Sequence, residues 1–324
     1  MSKAKVNVLI LSAGRRVELL YAFRESLQHS YPDGKVYATD LNPTLSAACQ
    51  VADQSFEVPR VTEPGYVNVL LDLCRDYSIG MVVPTIDTEL LPLSINKKLF
   101  DREKVSLVIS ELDFIKACRD KRETGVLFES LGILYPEIYS RYDLQFPCFC
   151  KPYDGSRSVG AKPIMNASEL AGDELEDEKN MFMELVPKTY KEYTVDGYYS
   201  SSYQLKALVC RERVEVRDGE VSKGITRKSF VYEYLKDKLA YLPGAIGCIT
   251  FQFFVDEVSQ DIKGLEINPR FGGGYPLTHR SGARFTDYLV MEYMLDEKMD
   301  YQGEWEDRLL MLRYDAGVYR KHEN

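Results

Sequence analysis

Residues 263–274 read Lys263-Gly264-Leu265-Glu266-Ile267-Asn268-Pro269-Arg270-Phe271-Gly272-Gly273-Gly274. Leu265 and Ile267 alternate with Glu266 and Asn268, so a β-strand here sends two apolar side chains to one face and two oxygen-bearing side chains to the other. A carboxylate and an amide carbonyl are hard oxygen donors of the kind Mg²⁺ takes when water and substrate phosphates complete its shell. Pro269 ends the strand, Arg270 adds a fixed cation, and three glycines let the backbone turn away. Taken alone, the stretch also fits a surface strand followed by a Gly-rich turn. Upstream, Thr250-Phe251-Gln252-Phe253-Phe254 is a second alternating strand, with Gln252 opposite Phe251 and Phe253 as a third oxygen donor.

A further extended run at 146–151 leads into Lys151-Pro152-Tyr153-Asp154-Gly155-Ser156-Arg157-Ser158-Val159-Gly160. A lysine at a strand end offers phosphates a point charge, and a loop of small residues exposes N–H groups and hydroxyls able to close over them. This is not a Walker A loop, since no Gly-Lys-Ser/Thr ends it; a flexible polar hairpin is the plainer alternative. Residues 162–165 read as the returning strand, and Asn166 with Glu169 as a helix N-cap and its partner. The acidic run 173–178 reads as a solvated loop. Residues 203–216 and 220–228 read as two strands joined at Asp218-Gly219, and their basic residues, Arg211 and Arg213 among them, fit either a solvated edge strand or a phosphate contact.

Gln252, Glu266 and Asn268, followed by Pro269 and Arg270, resemble the metal and phosphate segment of ATP-grasp enzymes, above all one half of the carbamoyl-phosphate synthetase large chain. With Lys121 and the Lys151 loop, three motifs stand in that family's order between residue 113 and roughly residue 290. The resemblance implies ATP with Mg²⁺, or Mn²⁺ in its place, held by Gln252, Glu266 and Asn268. It places Lys121, Lys151, Gly155, Ser156 and Ser158 at the nucleotide phosphates, Glu184 with the backbone of Leu185 and Val186 at the adenine, and Glu192 at the ribose. Arg270 and Lys151 are then the groups that stabilise the transferred phosphoryl.

Ahead of these motifs, residues 1–112 alternate strand and helix signals: strands at 6–11, 36–39, 55–58, 81–84 and 105–109, helices at 15–29, 66–77 and 88–100. Such alternation predicts a doubly wound, Rossmann-like sheet. Dinucleotide binding is not supported by its fingerprint, because only Gly14 stands where Gly-x-Gly-x-x-Gly is wanted and Arg15-Arg16 fills the space. In the resembling family this domain precedes the nucleotide site, and Ser12, Arg15, Asp40, Asp87 and Glu89, at strand ends, would face the acceptor substrate together with Arg211. From Asp113 a helix carries Asp120-Lys121-Arg122 and continues to a Gly132 stop. Helices at 230–242 and 286–295 read as packing elements. The expected division is an α/β pre-ATP-grasp domain at 1–112, an ATP-grasp small lobe at 113–185 and an α+β large lobe at 186–324.

Lys plus Arg is 41 and Asp plus Glu 50, a net charge of −9 over 324 residues, which argues against a nucleic-acid partner and makes any phosphate binding local. Seven cysteines without a CxxC pair, and no apolar run of membrane-spanning length, predict a cytoplasmic protein with no membrane association. The chemistry implied by the resemblance is ligation: a carboxylate attacks the γ-phosphate, and an amine, or a thiol, captures the acyl phosphate. Carbamoyl-phosphate synthesis itself needs two such modules, and here there is one. The alternatives are a nucleotide-binding or sensing protein without turnover and, on the first domain, an NAD-linked enzyme. A homodimer is compatible with the sequence.

Overall fold

Apolar runs in the amino-terminal third form the buried parallel strands that the alternation predicts. The computed structural model describes residues 5–155, 159–217, 219–298 and 304–321. Its first elements are β1 (Asn7–Ile10), α1 (Val17–Ser30), β2 (Val36–Asp40), α2 (Ala47–Val51), β3 (Gln54–Glu57), α3 (Tyr66–Asp76), β4 (Ile79–Val83), α4 (Asp87–Ile95), α5 (Lys97–Arg102) and β5 (Ser106–Leu107). The sheet is parallel in the order β3-β2-β1-β4-β5, so its direction of winding reverses between β1 and β4 and a crevice opens there at the carboxyl ends of the strands. Leu20, Phe23 and Leu27 of α1 cover one face, and Leu70 of α3 with Leu90 and Leu93 of α4 cover the other. The helix expected at 88–100 is broken at Asn96, whose side chain donates to the Pro92 carbonyl at 2.8 Å.

The next helix is likewise two: α6 (Leu112–Arg119) and α7 (Lys121–Ser130). Asp120 caps α7 by accepting from the backbone N–H of Arg122, which sets the break and makes Lys121 the first helical residue. A four-stranded sheet, β6-β9-β7-β8, follows from β6 (Ile138–Tyr139), β7 (Cys148–Pro152), β8 (Lys162–Ile164) and β9 (Asn180–Glu184). Asn166 caps a 3₁₀ turn at Ala167–Glu169, with Glu169 bonded back to it. The acidic run is not simply a loop: α8 (Gly172–Glu176) forms there, with its carboxylates at the positive end of the helix and Glu174 paired to Lys162.

The remaining strands, β10 (Lys191–Tyr199), β11 (Leu205–Arg217), β12 (Glu220–Thr226), β13 (Gly247–Val255), β14 (Ile262–Asn268) and β15 (Leu310–Leu312), make an antiparallel sheet in the order β14-β13-β10-β11-β12-β15. The tail strand β15 pairs with β12, so the basic hairpin is interior rather than a solvated edge. Helix α9 (Phe230–Lys238) packs with α6 and α7 on the face bearing Tyr193, Val195, Phe251, Phe253 and Ile267. Helices α10 (Tyr275–Arg280), which follows the three glycines, and α11 (Phe285–Met294) pack beside α1, joining the carboxyl-terminal segment to the first sheet. Among the described residues no helix is long and apolar enough to cross a membrane.

Candidate active site

The antiparallel register brings the oxygen donors together. Gln252 and Glu266 are direct cross-strand partners on β13 and β14, and Thr250 stands opposite Asn268. Just beyond, Phe253 pairs with Gly264, so Leu265 is the extra residue of a β-bulge. Leu265 is therefore half-exposed rather than packed with Ile267, which corrects the simple alternation read from the sequence. The bulge still leaves Glu266 and Asn268 on the face away from Phe251, Phe253 and Ile267. One carboxylate and two amide oxygens, on one face and within two residue pairs, fit a hard divalent cation.

The lysines come from the four-stranded side. Lys151 on β7 is 7% exposed and has no ion-pair partner among the described residues. Burial, then the neighbouring Lys121, push its ammonium down to about 8, with Glu266 opposing. A desolvated, unpaired ammonium beside a second lysine is an arrangement suited to an anion. Lys121 donates from Nζ to the Gly155 carbonyl at 2.5 Å, and its backbone N–H donates to the Tyr153 carbonyl at 3.0 Å, so α7 grips the start of the loop. Arg122 stacks over the Tyr153 ring at 3.8 Å. Ser156 and Ser158 lie outside the described residues.

Beside Asn268, Arg270 joins this site to the crevice of the first sheet. Its Nη2 donates to Asp87 at 2.6 Å and to Asn268 Oδ1 at 3.0 Å. Burial opposes its charge, but Asp87 more than offsets this and the guanidinium holds its proton above the ordinary arginine range. Arg15, expected to face substrate, is exposed. Its neighbour Arg16 is half-buried and turns inward, within electrostatic reach of Arg270, Asp87, Glu89 and Glu220, and spends one Nη2 hydrogen bond on the Thr85 carbonyl at 2.8 Å. Burial and then Arg270 push Arg16 down to about 10.

Glu89 is wholly enclosed. Its carboxylate accepts from the Thr85 and Ile86 N–H groups at 2.6 and 3.0 Å, from Ser12 Oγ at 2.7 Å and from Tyr66 OH at 3.2 Å. Burial raises its proton affinity while these bonds lower it, leaving it above the usual carboxylate range. Glu89 and Ser12 thus lock the ends of β1 and β4 to each other. Asp40 accepts from the Gly14 N–H at 3.0 Å and braces the turn into α1.

Across the six-stranded sheet, Glu266, Gln252, Thr194, Arg211 and Thr226 form one line of cross-strand partners. Arg211 is 2% exposed and paired at 2.7 Å with the fully buried Asp196, which also accepts from Thr250 and Thr278 at 3.0 and 2.6 Å. The guanidinium lies against Gly274, where a Cβ would collide with it. Glu192, partly exposed on β10, pairs with Arg213 at 2.6 Å. Glu184 binds Lys263 and leads into Leu185 and Val186, half-exposed in the connection to β10.

Arg16, Asp196, Glu220 and Arg313 were not legible as site residues. Arg313 Nη2 donates to the Gly273 carbonyl at 2.5 Å, and Nη1 lies 3.4 Å from Glu220. Only the pairing of β15 with β12 brings this tail arginine to the glycine turn. For Arg16 a signal existed: it stands one residue along from Arg15, at the N-cap of α1.

The first-sheet sequence, residues 8–108, matches the family described as PylC-like, N-terminal domain. No curated protein matches the chain. Among solved structures, N5-carboxyaminoimidazole synthetase from Staphylococcus aureus, complexed with ADP, is similar with a TM-score of 0.68 at 17% identity, covering 92% of this chain and 79% of that one. L-amino acid ligase from Bacillus licheniformis is similar with a TM-score of 0.68 at 14% identity over 94% and 78%. The fold is that of the ATP-grasp enzymes. The biotin carboxylase domain of Hydrogenobacter thermophilus 2-oxoglutarate carboxylase, in complex with MgADP, ADP and bicarbonate, shares this ATP-grasp architecture, with a TM-score of 0.67 at 15% identity over 92% and 71%. The parallel first sheet followed by two antiparallel sheets agrees with the fold class expected from the sequence.

Proposed function

We propose that this chain is an ATP-dependent ligase that activates a carboxylate as an acyl phosphate and passes the acyl group to an amine, or to a thiol. The observation that carries this reading is the meeting of two arrays: the opposed donors Gln252 and Glu266, with Asn268 and Arg270, and the buried, unpaired Lys151 with Lys121. The ADP and MgADP bound by two of the similar enzymes support it.

In this reading Lys121, Lys151 and the loop from Gly155 through Ser156 and Ser158 hold the phosphates, Glu184, Leu185 and Val186 hold the adenine, and Glu192 the ribose. Gln252, Glu266 and Asn268 hold Mg²⁺, which supplies charge neutralisation between the phosphates and the incoming acid. A carboxylate oxygen bonds to the γ-phosphorus as the β,γ P–O bond breaks and ADP leaves. Arg270 and Lys151 stabilise the charge on the transferred phosphoryl. The amine nitrogen then bonds to the acyl carbon, the C–O bond to phosphate breaks, and the amine loses a proton. Residues 1–112, 113–185 and 186–324 are the corresponding three units.

The intermediate is the test. Protein, ATP and Mg²⁺ are incubated with pooled carboxylic acids, including amino acids, and hydroxylamine in place of the amine. A hydroxamate in amounts matching the ADP released supports the ligase. ADP with a stable phosphoester indicates a kinase instead, and a nucleotide-induced rise in melting temperature without turnover on any acid indicates a sensor.

A further inference from the structure

Three guanidiniums converge where the crevice of the first sheet meets the six-stranded sheet, and two of them are matched. Arg270 is paired with Asp87 at 2.6 Å, and Arg313 lies 3.4 Å from Glu220 while donating to the Gly273 carbonyl. Arg16 is the odd charge. Among the described residues it has no ion-pair partner, and its one hydrogen bond goes to a neutral carbonyl. Holding a half-buried guanidinium beside another arginine is unfavourable unless an anion completes the set. Glu89, Asp87 and Glu220 act on Arg16 only at a distance: Glu89 is saturated by Ser12, Tyr66 and two backbone N–H groups, Asp87 is paired to Arg270 and Glu220 lies against Arg313.

We propose that Arg16 receives the carboxylate of the acid that this site activates, holding it beside Arg270. The inference rests on the ligase reading of the same site. Of the three guanidiniums only Arg16 has no carboxylate in ion-pair contact among the described residues, and one unfilled guanidinium matches one carboxylate rather than a polyphosphate. The position also suits the chemistry. Arg270 touches both Asn268 of the metal-binding set and Asp87 of the first sheet, so an anion between Arg16 and Arg270 lies next to the place where the phosphoryl group arrives. The first sheet thereby contributes the acid-binding group and the other two sheets the nucleotide-binding groups. Arg16 reaches this place because Asp40 pins the Gly14 N–H and the Thr85 carbonyl anchors its Nη2.

The test reads Arg16 directly in the full-length wild-type protein saturated with MgADP. Phenylglyoxal attacks guanidines that lack a carboxylate partner, and peptide mapping by mass spectrometry gives the rate at each arginine. Arg16 is expected to react before Arg270 and Arg313, and to be protected by either a pool of the twenty L-amino acids or a pool of aliphatic mono- and dicarboxylates. Protection by inorganic phosphate and by neither pool would overturn the assignment, as would modification no faster than at Arg270. Arg16→Met and Arg16→Lys then separate the two readings. Both should keep the MgATP-induced rise in melting temperature, while Arg16→Met raises the half-saturating concentration of the protecting pool, read as acid-dependent ADP release, by roughly tenfold or more, with partial recovery in Arg16→Lys. Unchanged acid dependence in Arg16→Met refutes the proposal. Absence of any nucleotide effect in the wild type refutes the ligase reading instead.

Discussion

Replacing Lys151 by Met should stabilise the ligand-free protein and at the same time remove its response to nucleotide. The ammonium is buried and pushed from the ordinary 10.5 to about 8. At about 1.4 kcal/mol for each tenfold change in proton affinity, keeping it charged at pH 7 costs about 3 kcal/mol. Methionine keeps the unbranched stem and removes the charge, so most of that cost is recovered. With an unfolding entropy near 2.1 cal/mol/K per residue, this is a rise of roughly 5 °C if the chain melts as one unit. The unfolded chain binds more protons than the folded one between pH 8 and 10.5, so in the wild type stability from this group rises with pH across that window and is lowest below it. Lys151→Met should lose that slope. MgATP at about a hundred times its dissociation constant would add about 2.7 kcal/mol to the wild type, and much less to the variant. Differential scanning fluorimetry at pH 7 and pH 9.5, with and without MgATP, reads all of these. A variant that melts lower than the wild type at pH 7 and keeps the full MgATP increment would refute the reasoning and make Lys151 a structural residue.

Glu266→Gln should fold normally, keep most of the MgATP-induced shift, and lower acid-dependent ADP release by roughly a hundredfold or more, since the charge it removes matters most in phosphoryl transfer; wild-type turnover would exclude it from the metal set. Glu89→Ala leaves the N–H groups of Thr85 and Ile86, Ser12 and Tyr66 without their acceptor, and urea denaturation should show a loss of about 3 kcal/mol or more. A loss below about 1 kcal/mol would mean that the lock is not structural. Asp196→Ala strands the buried Arg211 and should cost about 3–5 kcal/mol in the same assay. Gly264→Ala puts a methyl group into the Phe128 ring, which α7 lays over β14, and should cost about 1–3 kcal/mol; a neutral result would show that α7 shifts freely.

The elements legible in the residues alone were those whose pattern is local. Alternation along 250–254 and 263–268 fixed two strands and placed Gln252, Glu266 and Asn268 on one face, because side-chain direction in a strand follows from the backbone period alone. The amino-terminal alternation of apolar runs with amphipathic helices implied a parallel sheet for the same reason. Whatever depended on pairing between distant segments was decided by tertiary structure. The Leu265 bulge exists because Gln252 and Phe253 pair across it. The break at Asp120 reflects a cap that competes with a continuous helix. Arg211 is enclosed because Asp196 of the neighbouring strand pairs with it and the turn at Gly274, some sixty residues on, lies against its guanidinium. The choice of Arg16 over Arg15 turns on a one-residue rotation at the entry to α1, which no composition rule can read. Arg313 meets Gly273 and Glu220 only because the tail strand pairs where it does. A single residue type carries its charge in any sequence, but whether that charge is matched, as in Arg270, or left over, as in Arg16, depends on which carboxylates the fold brings within a few ångströms of it.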